Sequence, residues 1–225
     1  MAENEQSDAQ TYPAAPATAR PAVFLDRDGV INENLPDAYV DDWARFRFLP
    51  GVVEAIAKLN RAGYLVVVVT NQAGIGRGLM TEAALQEIHA RMLAAIETDG
   101  GRVDLVLYCP HAPEAGCDCR KPRPGMLHRA AARLAIDLER SYFVGDHVTD
   151  VQAGRAAGCH PILVLTGRGA GARHGPAGAP DLDGVPVVED LPAAVRLILG
   201  PPSAASPDGR LDPAPSLPLK REPKP

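Results

Sequence analysis

Asp26 and Asp28 stand at the end of an apolar run, Ala22-Val23-Phe24-Leu25, and Gly29 follows at once. An extended strand repeats every two residues, so both carboxylates leave the chain on the same side. Open α/β sheets bind ligands in the crevice beyond the carboxyl ends of their strands, and that is where this pair would lie. One carboxylate can then attack a phosphorus or carbon centre while its neighbour handles the proton. An Asp-x-Asp-Gly string alone is also a common solvated turn, so the weight falls on what accompanies it. Further along come Thr70-Asn71-Gln72, then Arg120-Lys121-Pro122, then Gly145-Asp146 with Asp150 four residues later.

Cys109-x-His111 and Cys117-x-Cys119 form a second group. Three thiols and an imidazole within such a short stretch make a complete Cys₃His set, the closed tetrahedral shell of a structural Zn²⁺. Four protein donors leave no position for water, so this zinc would pin a loop and fix Arg120 and Lys121 rather than catalyse.

The elements that must carry these residues alternate. Strand-like runs occupy residues 22–25, 64–69, 103–108, 141–144 and 161–165, with a short sixth at 185–188. Helical spacing connects Val52, Val53, Ile56 and Leu59, then Leu85, Ile88, Met92 and Ile96, then Met126, Leu127, Ala130 and Leu134. Residues 192–199 read as a last helix. The run Leu65-Val66-Val67-Val68-Val69 has no polar alternation, as expected for a strand covered on both faces. Alternating strands and helices predict an α/β fold, a three-layer doubly wound parallel sheet, with no room for a large cap domain. Residues 1–20 read as a disordered lead-in, 21–200 as the folded domain and 201–225 as a disordered Pro-rich tail. A net charge of −5 argues against a nucleic-acid footprint. No apolar run is long enough to span a membrane. Without an export signal, the four cysteines read as thiols or metal ligands, and the cytoplasm is the expected location.

Each strand delivers its polar residues at its carboxyl end, and the series resembles the four motifs of the haloacid dehalogenase-like phosphatases over nearly the whole of 21–199. Phe24 to Gly29 resembles the first motif, Thr70 the second, Lys121 the third, and Gly145-Asp146 with Asp150 the fourth. The resemblance implies an Mg²⁺-dependent phosphoric monoester hydrolase on a HAD-like, Rossmann-like fold. Asp26 would be the nucleophile that becomes an aspartyl-phosphate, and Asp28 the acid and then the base. Thr70 would bond the phosphoryl oxygens, and Lys121 would offset the gathered charge. Asp26, the backbone carbonyl of Asp28, and Asp146 would hold Mg²⁺. Asp150 either supports Lys121 or is a solvated first-turn acid. A carboxylate can approach a phosphate dianion only when positive charge screens both, which agrees with these roles.

Cys-Pro-His opening the cysteine loop and Cys-x-Cys-Arg-Lys-Pro closing it resemble the zinc loop of the heptose-bisphosphate and histidinol-phosphate phosphatases. The strings following Asp28 and Thr70 look more like the heptose-bisphosphate branch. The implied reaction removes the 7-phosphate of D-glycero-D-manno-heptose 1,7-bisphosphate. Histidinol-phosphate phosphatase is the alternative, followed by a polynucleotide 3′-phosphatase or a non-catalytic zinc-loop interaction module. Asn71, Arg77 and Arg120 are candidate contacts to a small phosphorylated sugar; a strand-end turn, a flexible loop and a solvated basic turn are their plainer readings. His147 reads as a surface residue at a helix start, and Tyr39, Trp43 and Phe46 as packing or a roof over the site. No partner besides the substrate is expected, and a monomer is the default.

Overall fold

A computed structural model describes residues 19–35, 38–172 and 182–200. Most of the expected terminal segments (1–18 and 201–225) and the later part of a Gly/Ala-rich stretch (173–181) lie outside them. Six strands form one parallel sheet: β1 (Ala22–Leu25), β2 (Leu65–Asn71), β3 (Leu105–Cys109), β4 (Tyr142–Gly145), β5 (His160–Val164) and β6 (Val187–Val188), in the order β3-β2-β1-β4-β5-β6. The order reverses at β1, so the crevice opens beyond the ends of β1, β2 and β4.

Helices connect the strands: α1 (Val52–Arg61), α2 (Ala73–Gly76), α3 (Glu82–Thr98), α4 (Gly125–Leu134), α5 (Val148–Ala157), α6 (Gly169–Ala172) and α7 (Leu191–Leu199). Strand alternation divides the core between the two faces. Val23, Leu25, Val66, Val68 and Val144 pack with Ile56 and Leu59 of α1, Met92 of α3 and Val195 of α7. Ala22, Phe24, Val67, Val69 and Phe143 pack with Met126 and Ala130 of α4 and Ala153 of α5. This is the three-layer arrangement, with β2 buried along Leu65 to Thr70.

Two details depart from the periodicity reading. The sixth strand is only Val187–Val188, and the helix expected to start at His147, α5, shows no apolar stripe because its buried face is Val151, Ala153, Gly154 and Ala157 rather than large residues. Thr81 caps α3 as its position suggests, its hydroxyl accepting from the Ala84 N–H at 3.1 Å.

Candidate active site

The site grows from the ends of β1, β2 and β4. Lys121 comes from the segment before α4 and is 3% exposed. Its Nζ lies 2.9 Å from Asp26 Oδ1 and 2.7 Å from Asp150 Oδ1, and it donates to the Val69 carbonyl at 3.0 Å. Burial opposes its charge, but Asp150 and Asp26 outweigh burial and hold the ammonium above its usual range. Asn71 clamps this lysine's backbone from 50 residues away, donating to its carbonyl and accepting from its N–H, each at 3.1 Å. Asp150 also accepts from the His147 N–H at 3.0 Å, closing a capping box at the start of α5. Of its two readings, support for Lys121 is the one the contacts favour. Gly145 makes room for it, since a Cβ there would meet the Asp150 Cβ at 2.2 Å.

Asp28 is held differently. Arg27 Nη2 donates to both its oxygens at 2.8 and 2.9 Å, Asn32 Nδ2 to Oδ1 at 2.9 Å, and Gln72 Nε2 to Oδ2 at 2.9 Å. Burial works against ionisation, but Arg27, Asn32 and Gln72 prevail and keep the carboxyl below its usual range. Gln72 also donates to Thr70 Oγ1 at 2.9 Å, so the second motif is tied to the first.

Asp146 faces Gly29, whose φ is +86° and whose absent Cβ would stand 2.1 Å from Asp146 Oδ2. The same oxygen accepts from the Arg168 N–H at 2.8 Å. Oxygens of Asp26, Asp146 and Asp150 lie within 4.8 Å of one another. Burial, with Asp26 beside it, pushes Asp146 up to about 8. Burial likewise raises Asp26 to about 6, against the pull of Lys121. Clustered, desolvated carboxylates short of positive charge fit a hard divalent cation with oxygen ligands, as Mg²⁺ requires. Both Asp150 oxygens are engaged, by Lys121 and by the His147 N–H, whereas Lys121 and the Arg27 N–H meet Asp26 through Oδ1 alone, so Asp26 and Asp146 are the carboxylates that would hold it. Asp28 would join through its backbone carbonyl, because its side chain is taken by Arg27, Asn32 and Gln72.

The zinc set is assembled after β3. Sγ atoms of Cys109, Cys117 and Cys119 lie 3.3 to 3.5 Å apart, and His111 Nδ1 is 3.3 Å from Cys119 and 3.6 Å from Cys109. Tetrahedral Zn–S bonds would set neighbouring sulfurs about 3.8 Å apart, so slight expansion admits the ion. Arg123 braces this loop, donating to the carbonyls of Gly116 and Cys117. Cys119 is two residues before Lys121, so the loop's anchor is also the lysine's.

A cavity of about 310 Å³ opens over these groups. Asp26, Asp28, Thr70, Lys121, Asp146 and Asp150 line it, as do Asn71, Arg77 and Arg120. Tyr39 forms part of the wall and accepts from Arg77 Nη1 at 3.1 Å, while Trp43 and Phe46 stack on each other at 4.9 Å. His147 caps α5 and also faces the cavity. Two residues were missing from the sequence reading. Arg168 lines the cavity from the loop after β5, hidden in a stretch whose composition suggests mere mobility. Arg27, two residues past the end of β1, is fully buried, as charged side chains seldom are without a partner.

Known proteins bear on this arrangement. The sequence matches the haloacid dehalogenase-like hydrolase family over residues 10–155, and a HAD-hydrolase-like family over 118–194. It is 43% identical over 183 residues to the D-glycero-β-D-manno-heptose-1,7-bisphosphate 7-phosphatase of Pseudomonas aeruginosa, covering 80% of this chain and 99% of that one. The enzyme of the same name from Bordetella bronchiseptica is 44% identical, covering 79% of this chain and 97% of its own. A crystal structure of D,D-heptose 1,7-bisphosphate phosphatase from B. bronchiseptica, complexed with magnesium and phosphate, superposes with a TM-score of 0.71 at 43% identity, over 79% of this chain and 97% of that one. The counterpart from Burkholderia thailandensis gives a TM-score of 0.60 at 39% identity, over 78% and 96%. The chain belongs to the haloacid dehalogenase-like hydrolases.

Proposed function

We propose that this chain hydrolyses the 7-phosphate of D-glycero-β-D-manno-heptose 1,7-bisphosphate, leaving the 1-phosphate in place. The observation that carries the reading is the match to enzymes of that activity along almost their entire length, together with a cavity whose floor is Asp26 paired to a buried Lys121. Asp26 Oδ attacks phosphorus, the bond to the sugar oxygen breaks, and Asp28 gives that oxygen its proton. Because Asp28 is held ionised beforehand, it takes up this proton from solvent as the substrate's phosphate arrives, a like charge that favours the neutral carboxyl. Water then attacks the aspartyl-phosphate, Asp28 accepts the water's proton, and Asp26 is released. Thr70 orients the phosphoryl oxygens, and Lys121 balances the negative charge on both sides of the transfer. Asp26, Asp146 and the Asp28 carbonyl would hold Mg²⁺, which would supply positive charge to offset the repulsion between the carboxylate nucleophile and the phosphate.

Arg77, Arg120 and Arg168 line the same cavity, and guanidinium groups suit bidentate contact with a phosphate. They supply a grip for the phosphate that is not hydrolysed. One chain's own loops build the whole cavity, which supports action as a monomer. Among the described residues no helix is long and apolar enough to cross a membrane. A thiol-rich zinc set suits a reducing compartment, which supports the cytoplasm. The acidic balance disfavours nucleic acid as substrate.

The test is a ranking by kcat/KM of the β and α heptose 1,7-bisphosphates, histidinol phosphate and a 3′-phosphorylated oligonucleotide. The β-heptose compound should lead; histidinol phosphate in first place would overturn the substrate while keeping the reaction.

A further inference from the structure

Arg27 is the largest fully buried side chain of the described residues, and it lies between the nucleophile and the acid in sequence. Its Nε is 3.3 Å from Asp28 Oδ1, and its Nη2 reaches both Asp28 oxygens. Its Nη1 lies 3.3 Å from Nε2 of His89, a residue 6% exposed on the inner side of α3. A guanidinium only donates, so the His89 Nε2 facing it must be the unprotonated nitrogen. Burial, reinforced by Arg27, lowers His89 to about 3 and so keeps the ring neutral. The ring is tilted against Tyr108, their centroids 5.9 Å apart, which fixes its plane.

Burying an ion pair is seldom the most stable use of interior space, and an apolar side chain of similar volume commonly does better. The arrangement gives orientation instead. With Arg27 anchored at one end by His89, the carboxylate of Asp28 has donors on both oxygens, while its side chain is still 24% exposed toward the cavity. Neither oxygen can rotate away without leaving a buried donor unpaired, and that loss is costly.

We propose that His89 and Arg27 are positioning residues, a brace running from α3 that sets the carboxylate of Asp28 for proton transfer to and from the substrate. This rests on Asp28 being the acid and base of the proposed reaction. Neither residue touches the substrate; both act through Asp28.

The experiment uses the zinc- and magnesium-loaded enzyme and a series of aryl and alkyl phosphates of graded leaving-group pKa. Wild type should show a shallow dependence of log(kcat/KM), which reports the step that expels the leaving group, on leaving-group pKa, and Asp28→Asn a steep one. His89→Leu, an apolar filler of the pocket, should steepen the dependence and lower kcat on alkyl phosphates about 10- to 100-fold, with KM unchanged. His89→Gln keeps an acceptor for Arg27 and should restore the shallow dependence. A folded His89→Leu enzyme with the wild-type slope would overturn the proposal, as would failure of Gln to rescue. If the Leu variant does not fold, Arg27→Lys serves instead: its single ammonium cannot hold both Asp28 and His89, and an unchanged slope is again fatal. A shallow slope in Asp28→Asn would show that Asp28 itself had been misassigned, which removes the brace's purpose and identifies the failure as that of the parent reading.

Discussion

In magnesium-free buffer the protein should lose stability as pH rises from about 6 to about 8, and Asp146 should account for the loss. Burial and the neighbouring Asp26 push this carboxyl from 3.8 to about 8. The unfolded chain ionises it near pH 4, so above that value the folded state binds the extra proton. Stability contributed by a raised carboxyl is present at low pH and disappears as pH climbs through the folded value. For a folded pKa of about 8, the change between pH 6 and pH 8 comes to about 2 kcal/mol. His89, His128 and His147 are all held below their usual value by burial, so their contributions run in the opposite direction. They titrate equally in wild type and Asp146→Asn, and the comparison of the two cancels them. The assay is urea unfolding followed by far-UV circular dichroism, zinc retained, with stability obtained by linear extrapolation at each pH. Asp146→Asn should lack the 2 kcal/mol component, and saturating Mg²⁺ should remove it from wild type, because a bound dication keeps the carboxylate ionised. Parallel pH profiles for wild type and variant would refute the placement of Asp146 as the site's uncompensated charge.

Replacing Lys121 by Met leaves Asp26 and Asp150 buried without their shared cation. The expected cost is about 3–5 kcal/mol of stability and a ~10²–10³-fold fall in kcat, read by urea unfolding and aryl phosphate hydrolysis; a stability equal to wild type would contradict it. Cys117→Ser should lose zinc, measured by metal analysis, and activity with it, while the far-UV spectrum persists. Full turnover without zinc would show that the loop needs no pin. Arg168→Ala should raise KM for the heptose bisphosphate about tenfold, a loss of ~1.4 kcal/mol, with aryl phosphate kinetics unchanged. Equal effects on both substrates would place Arg168 at the transferred phosphate instead.

What could be read along the chain depended on how local the physics is. The β1 run, its paired acids and the all-apolar β2 are local patterns, and each strand begins within two residues of its expected start. The Cys₃His set was legible because four soft donors in a short loop have few other uses. Arg27 was overlooked because its neighbour Asp28 was read only for acid chemistry, and its second partner, His89, lies 62 residues on with no spacing rule to connect them. Asn71 lines the cavity, and its amide also engages the backbone of Lys121, a contact that exists only once β2 and the zinc loop are adjacent. The body of helix α5, whose start His147 marked, escaped notice for a packing reason. It lies close against β4, where only small side chains fit, so the large apolar residues that announce a helix are absent from it.

The arrangement of charges explains why the site calls for a metal at one acid rather than elsewhere. Asp28 has its own cation in Arg27, held from within the core by His89. Asp26 and Asp150 share Lys121, held by Val69 and Asn71 and anchored beside the zinc loop. Asp146 forms no ion pair among the described residues; a backbone N–H from Arg168 is what meets it. Four carboxylates against two buried cations leave two negative charges in excess, and the excess is concentrated at the one acid whose proton affinity is pushed furthest. A dication bound between Asp26 and Asp146 would cancel that excess at the point where an incoming phosphate adds more. The two permanent cations therefore serve orientation, each locked to an acid by neighbours that cannot move away. The exchangeable cation serves the variable charge, which appears when substrate binds and goes when product leaves.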